Sequence, residues 1–160
     1  MAEHEHSYAV TVEWTGNTGT GTSTYRAYER SHEISSSLPG KPPIPGTSDP
    51  AYRGDATRWN PEELLVASLS ACHKLWYLHI CAVNHVVVTG YVDHAEGWMP
   101  VDAQGVGSFR RVLLRPVVTI APGNDAERAR ELHNEAHRLC NVASSVNFQV
   151  DHEPEIRVES

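Results

Sequence analysis

The stretch Asn60-Pro61-Glu62-Glu63-Leu64-Leu65-Val66-Ala67-Ser68-Leu69-Ser70-Ala71-Cys72-His73-Lys74-Leu75-Trp76-Tyr77-Leu78-His79-Ile80-Cys81-Ala82-Val83 decides how this chain folds. A capping amide, Pro at the first helical position and two first-turn acids coincide at its start, and Glu63 stands where a capping box needs its acceptor. These signals predict a central helix over 60–84. Leu64, Leu65, Leu69, Ala71, Cys72, Leu75, Trp76, Leu78 and Ile80 cover nearly the whole helical circumference, the pattern of a helix buried on most sides. The run approaches membrane-spanning length, but His73, Lys74 and His79 near its middle favour a core helix of a protein with no membrane partner.

Working towards the N-terminus, the composition changes abruptly. Pro39, Pro42, Pro43, Pro45 and Pro50 lie between Leu38 and Asn60 with three Gly, which predicts a long loop over 38–59. Before it, Ser7 to Trp14 alternates Tyr8, Val10, Val12 and Trp14 with mostly polar residues, the period of a half-buried strand. Gly16-Asn17-Thr18-Gly19 supplies a turn, and Thr22–Tyr28 and Ser31–Ser36 read as further strands, so 1–37 is expected to form an antiparallel meander.

Towards the C-terminus, Val86–Trp98 and Val106–Ile120 are rich in β-branched residues and predict one long hairpin within 85–121. Gly123-Asn124-Asp125 announces a second helix, with Leu132, Ala136, Leu139 and Cys140 as its apolar stripe and a stop near Asn141, giving 124–141. The alternation of Ile156 and Val158 with charge adds an edge strand to the last segment, 146–160. A chain of 160 residues with 40% hydrophobic and 21% charged side chains is expected to be one domain, 1–160.

The net charge of −7, with Arg110-Arg111 the densest basic pair, gives no footprint for nucleic acid. Met1-Ala2-Glu3-His4-Glu5-His6 has neither a basic n-region nor an apolar h-region, so a cytoplasmic location is expected. Three cysteines are too few for a secreted disulfide framework. They suit catalytic, metal-bound or simply buried thiols.

Cys72 and Cys140 each lie in an apolar helical pattern. One reading makes them small buried hydrophobes, the commoner fate of a free cysteine. The other makes them the two thiols of a peroxidase: a thiolate that attacks the peroxide oxygen, and a second thiol that condenses with the resulting sulfenic acid. Burial raises a thiol's pKa, so a working Cys72 needs a nearby cation. Arg53 and Arg58 precede the helix, and Glu62 in its first turn is placed to hold either guanidinium. Glu62 is about 15 Å from Cys72 along a straight helix, so the loop must fold back or a second chain must supply the pair. His133, His137 and Cys140 share a helix face by their spacing and offer a rival, a metal site. Cys81, Trp76, Tyr77 and Trp98 fit structural roles.

Asn60-Pro61-Glu62-Glu63-Leu64-Leu65 leading to Ser68-Leu69-Ser70-Ala71-Cys72, with Cys140-Asn141-Val142-Ala143-Ser144-Ser145-Val146 later and Trp14-Thr15-Gly16 in the first hairpin, resembles the OsmC/Ohr proteins, the osmotically inducible and organic hydroperoxide resistance proteins. The resemblance implies an α+β, OsmC-like fold, with antiparallel sheets wrapped around two long central helices of an intertwined homodimer. It also implies two equivalent sites at the subunit interface. Cys72 would be the peroxidatic thiol and Cys140 the resolving one, closing a Cys72–Cys140 disulfide. Glu62 would orient the Arg that stabilises the thiolate; by position this is Arg53, with Arg58 and Arg26 as alternates. The implied substrate is an organic hydroperoxide, and the reductant a dithiol such as a lipoyl-bearing protein or a small thiol. No cofactor or metal is implied. Three features depart from the pattern: Gly16-Asn17-Thr18-Gly19 stands where Ohr members carry their Arg, which points to the OsmC-like branch, the Pro-rich loop around Lys41 is larger than the family's usual connection, and His73 follows Cys72 where an aromatic is frequent. Besides the metal site, a dimeric binder of apolar small molecules without catalysis is the other alternative.

Overall fold

In the computed structural model, which describes residues 4–160, the chain divides into one unit ending at Leu64 and another running from Leu65 to Ser160. Met1, Ala2 and Glu3, the start of the expected meander, lie outside the described residues.

The first unit carries an antiparallel sheet of β1 (Val10–Trp14), β2 (His32–Ser36) and β3 (Ile44–Gly46), in that order. The strand expected at Thr22–Tyr28 does not form. Asn17 Oδ1 accepts the N–H groups of Gly19 and Gly21 at 2.9 and 3.0 Å, and Thr18 Oγ1 donates to Ala27 O at 2.6 Å. These local bonds divert the backbone into turns. Gly16 is required where this excursion returns, because a Cβ there would stand 2.0 Å from Glu29 O.

The Pro-rich loop, in turn, contains β3, which the sequence reading did not anticipate. Pro45 lacks an N–H, but β3 is an edge strand and its carbonyl accepts the Trp59 N–H at 3.0 Å, so no ladder bond is missed. β1 forms as expected yet is not half-buried: Val10 and Val12 are 68% and 62% exposed. Its apolar face is open.

Helix α1 (Pro61–Val83) starts as the sequence predicts. Asn60 Oδ1 accepts the Glu63 N–H at 2.8 Å, and Glu63 Oε2 accepts the Asn60 N–H at 3.2 Å, completing the capping box. The expected burial on most sides does not occur. Leu69, His73, Tyr77, Ile80 and Cys81 form one buried stripe, while Leu75 and Val83 remain 62% and 59% exposed. The helix has the length and mean hydropathy, 1.2 over its most apolar window, of a membrane-crossing segment.

In the second unit the expected long hairpin is present but broken in two. β4 (Val88–Asp93) pairs antiparallel with β7 (Pro116–Ile120), and β5 (Glu96–Trp98) pairs antiparallel with β6 (Arg111–Leu114). At the break, Asp93 accepts the Arg115 N–H at 2.7 Å and the Ser70 hydroxyl of α1, so the split is anchored to the helix. Two C-terminal strands follow where one was expected. β8 (Gln149–His152) runs parallel to β6, and β9 (Glu155–Val158) parallel to β7. β8 escaped notice because Gln149, Asp151 and His152 give it no apolar alternation.

Helix α2 (Ala126–Leu139) is capped by Asp125, whose carboxylate accepts the Glu127 and Arg128 N–H groups. Tyr77, Ile80 and Cys81 of α1 pack with Val118 and Ile120 of β7 and with Ala129, Leu132 and Ala136 of α2, forming one core. Leu69 packs with Val112, Leu114 and Val150 in a second. Each fully buried aliphatic side chain contributes about 1.5–3 kcal/mol, so these clusters fix α1 on its sheets and on α2.

Candidate active site

Cys72 lies half-buried in the middle of α1, and Cys140 is the C-cap of α2, where the backbone leaves the helix at φ −70° and ψ 105°. Although 68 positions separate them, the Cys140 and Cys72 thiols lie close enough to interact. The turn after α2 fixes the second sulfur. The Ala143 N–H donates to Cys140 Sγ at 3.4 Å, Ser144 N–H donates to Cys140 O at 3.0 Å, and both Ser144 and Ser145 hydroxyls donate to Asn141 O.

Cys140 is 2% exposed. Burial pushes its thiol up to about 11, the nearby Cys72 thiol pushes the same way, and the Ala143 and Val142 N–H groups oppose them. Cys140 therefore stays protonated at neutral pH. To attack an oxidised form of the more accessible Cys72 sulfur it must give up that proton, which leaves as water with the displaced hydroxide.

Leu75, Trp76 and His79 follow Cys72 at i+3, i+4 and i+7, which places them on its helix face. They line a shallow recess of about 300 Å³. The helix face that carries Cys72 thus continues into a mainly apolar recess.

The expected charged partners are arranged differently from the sequence reading. Arg58 donates to Gly46 O and His32 O, both at 3.0 Å, and is paired with Glu33, so its guanidinium is committed to the β2–β3 sheet. Glu62 is half-buried in the first turn of α1 and holds neither Arg58 nor Arg53. Arg53 caps the 3-10 turn Pro50–Tyr52 in the left-handed conformation, φ 67°, and its side chain is exposed. It lines a polar recess of about 300 Å³ with Tyr28, Arg30, Thr47 and Asp55. Arg26 is exposed.

The metal reading is corrected by the histidine geometry. His133 is engaged elsewhere: its Nδ1 lies 2.9 Å from His73 Nε2, and its ring stacks on Tyr77 at 3.8 Å. His137 stacks on His152 at 5.6 Å. Among the described residues no three His, Cys, Asp or Glu side chains converge on a point where an ion could sit. Cys81 is buried beside Tyr77, and burial raises its thiol pKa, in keeping with a structural role. The sequence reading missed the contact between His73 and His133. Two histidines 60 positions apart carry no local signal that they meet.

The family described as OsmC-like protein matches residues 54–155, which include Cys72, Cys140 and Glu62. The chain belongs to the OsmC-like family. An OsmC-like protein of unknown function from Vibrio cholerae O1 biovar eltor is 28% identical, with TM-score 0.83 over 94% of this chain and 99% of that one. An organic hydroperoxide resistance protein from Elizabethkingia anophelis shares the fold at 16% identity, TM-score 0.69, over 99% of this chain and 100% of that one. The organic hydroperoxide resistance protein OhrB of Bacillus subtilis does so at 21% identity, TM-score 0.60, over 95% and 98%. No curated protein matches the chain. The OsmC-like fold expected from the sequence is the fold observed, an α+β arrangement of two helices and several small sheets.

Proposed function

We propose that the protein is a cytoplasmic thiol peroxidase that reduces organic hydroperoxides to alcohols. The single observation that carries this reading is the proximity of the Cys72 and Cys140 thiols. Cys72 as thiolate attacks the terminal oxygen of the hydroperoxide; the O–O bond breaks, an S–O bond forms, and the alcohol leaves with a proton. Cys140 then attacks the Cys72 sulfenic acid, forming the disulfide and releasing water. An external dithiol, lipoyl-bearing or a small thiol, reopens the disulfide and takes its oxidation. The apolar recess of Leu75, Trp76 and His79 favours an organic substituent on the peroxide.

The active form in this reading is a homodimer. Among the described residues no ion pair uses the charge of Glu62 or of Arg53, and α1 and β1 each present an open apolar face. A second copy supplies the covering surface, and across it the Arg53–Glu62 pair that holds the Cys72 thiolate.

One equivalent of cumene hydroperoxide followed by peptide mass spectrometry tests the assignment. The expected product is a Cys72–Cys140 disulfide. Cys72→Ser should abolish peroxide consumption, and Cys140→Ser should permit about one turnover and leave Cys72 over-oxidised. Unchanged thiols in the native chain would show instead a binder of apolar molecules without catalysis, and full consumption by Cys72→Ser would end the proposal.

A further inference from the structure

The proposed chemistry uses no histidine, yet two lie at the centre of the second unit. His73 and His133 are 1% and 0% exposed, and His73 Nε2 stands 2.9 Å from His133 Nδ1. The outer nitrogens, His73 Nδ1 and His133 Nε2, are buried without a partner. Whichever ring donates the shared hydrogen, one buried N–H and one buried lone pair are left unsatisfied. Such a pair adds little net stability compared with apolar side chains of similar size. What it adds is direction, because only one placement of the two helices satisfies the inner nitrogens.

That placement is tied to the cysteines. Tyr77, one turn after His73 on α1, stacks on His133 and donates its hydroxyl to Ala129 O, one turn before His133 on α2, at 3.0 Å. The contacts therefore run in opposite chain directions along the two helices, one turn matched by one turn. Cys72 is the neighbour of His73. Cys140 follows His133 by two turns on the same face. Sliding either helix by a turn breaks the imidazole bond and parts the sulfurs together.

We propose that His73 and His133 are positioning residues, a register lock between α1 and α2 that brings Cys140 onto Cys72 and that opens when the buried pair takes up a proton. The lock concerns how the thiols approach, and it rests on the peroxidase reading only for the reaction it serves. The groups facing the pair explain the response to acid. Tyr77, with Cys81 beside it, faces the pair from α1, His137 and Arg130 from α2, and His152, itself beside Asp151, from β8, while Tyr91 packs on Tyr77 from β4. Burial chiefly, with His152 and His137 adding to it, lowers His73 to about 4, and His133 is lowered for similar reasons. A proton forced onto the pair is an unpaired buried charge, and hydrating it requires the helices to part.

Three proteins test this. His73→Leu removes the bond and keeps an apolar filling. His73→Gln combined with His133→Asn puts an amide nitrogen at the Nε2 position and an amide oxygen at the Nδ1 position, retaining a bond that cannot titrate. Rates of sulfenic acid formation at Cys72 and of disulfide closure are followed separately after one equivalent of cumene hydroperoxide. In His73→Leu, sulfenic acid should form at the native rate while closure slows by about tenfold and Cys72 proceeds to sulfinic acid. The Gln/Asn protein should close within about threefold of the native rate at neutral pH. The ratio of native to Gln/Asn closure rates should fall as pH drops from 6.5 towards 4, the interval over which His73 resists its proton.

Native-rate closure in His73→Leu, or a ratio that does not change with pH, overturns the lock. Should His73→Leu fail to fold, the pH ratio alone decides. If the native chain ignores the hydroperoxide, the peroxidase reading fails by itself. Closure is then driven by diamide, an azodicarboxamide that takes two electrons and two protons from the thiols, and the same comparisons judge the lock.

Discussion

Arg58 and Arg53 stand five residues apart in one loop and have opposite fates. Arg58 makes charge-assisted bonds to two carbonyls and Glu33, with its side chain 22% exposed, whereas Arg53 is left at the surface by a turn that Asp49 caps. Arg58→Ala is expected to destabilise the fold by about 2 kcal/mol, read as a lower urea midpoint. Arg53→Ala should leave that midpoint unchanged and slow hydroperoxide consumption. The reverse pattern would move the thiolate-stabilising role to Arg58. The cysteines also differ in their surroundings: Cys140 at the end of α2 is 2% exposed, whereas Cys72 in the middle of α1 is half-buried.

At the scale of elements, α1 is where local signals and tertiary packing meet. Its N-terminus rests on the reciprocal Asn60–Glu63 bonds, so Asn60→Ala should cost about 1 kcal/mol, measurable as a loss of thermal stability with the disulfide chemistry retained. Beyond the first turn, one stripe of the helix is buried and the face carrying Cys72 and Leu75 is open. The long hairpin divides into β4–β7 and β5–β6 because Asp93 gathers the Ser70 hydroxyl and the Arg115 N–H between the two halves. The C-terminal strands then join each half in parallel, which a run of alternating residues cannot announce.

For the molecule as a whole, two measurements follow. Leu75→Glu places a charge on the open face of α1, 62% exposed within the chain, and should turn the proposed dimer into a monomer by sedimentation while abolishing peroxide turnover. A monomeric native chain would remove the dimeric site from the proposal. Stability should also depend on acid in a defined window. His73 is held below its ordinary 6.5, at about 4, so the unfolded chain binds its proton first as pH falls. Stability is then full above pH 6.5 and declines towards pH 4, by on the order of 3 kcal/mol from His73 alone. Urea midpoints across that range should show the decline, and the Gln/Asn protein should lose much of it.

The helix start at Asn60, the cap at Asp125, the long hairpin and the likeness to the OsmC/Ohr proteins were all legible in the residues, because capping, turn chemistry and alternation act between near neighbours. The strand expected at 22–28 failed against side-chain bonds made within its own turn, and β3 and β8 were invisible because their pairing partners, not their composition, make them strands. Sequence alone named Cys72 and Cys140 as candidates. Whether two thiols 68 positions apart would approach, and whether His133 would face a metal or another histidine, were decided only by the packing of α1 on α2, and Arg58 was drawn away from Glu62 by the β2–β3 sheet. Such contacts depend on the relative placement of whole elements, which the buried side chains settle together and no short stretch encodes.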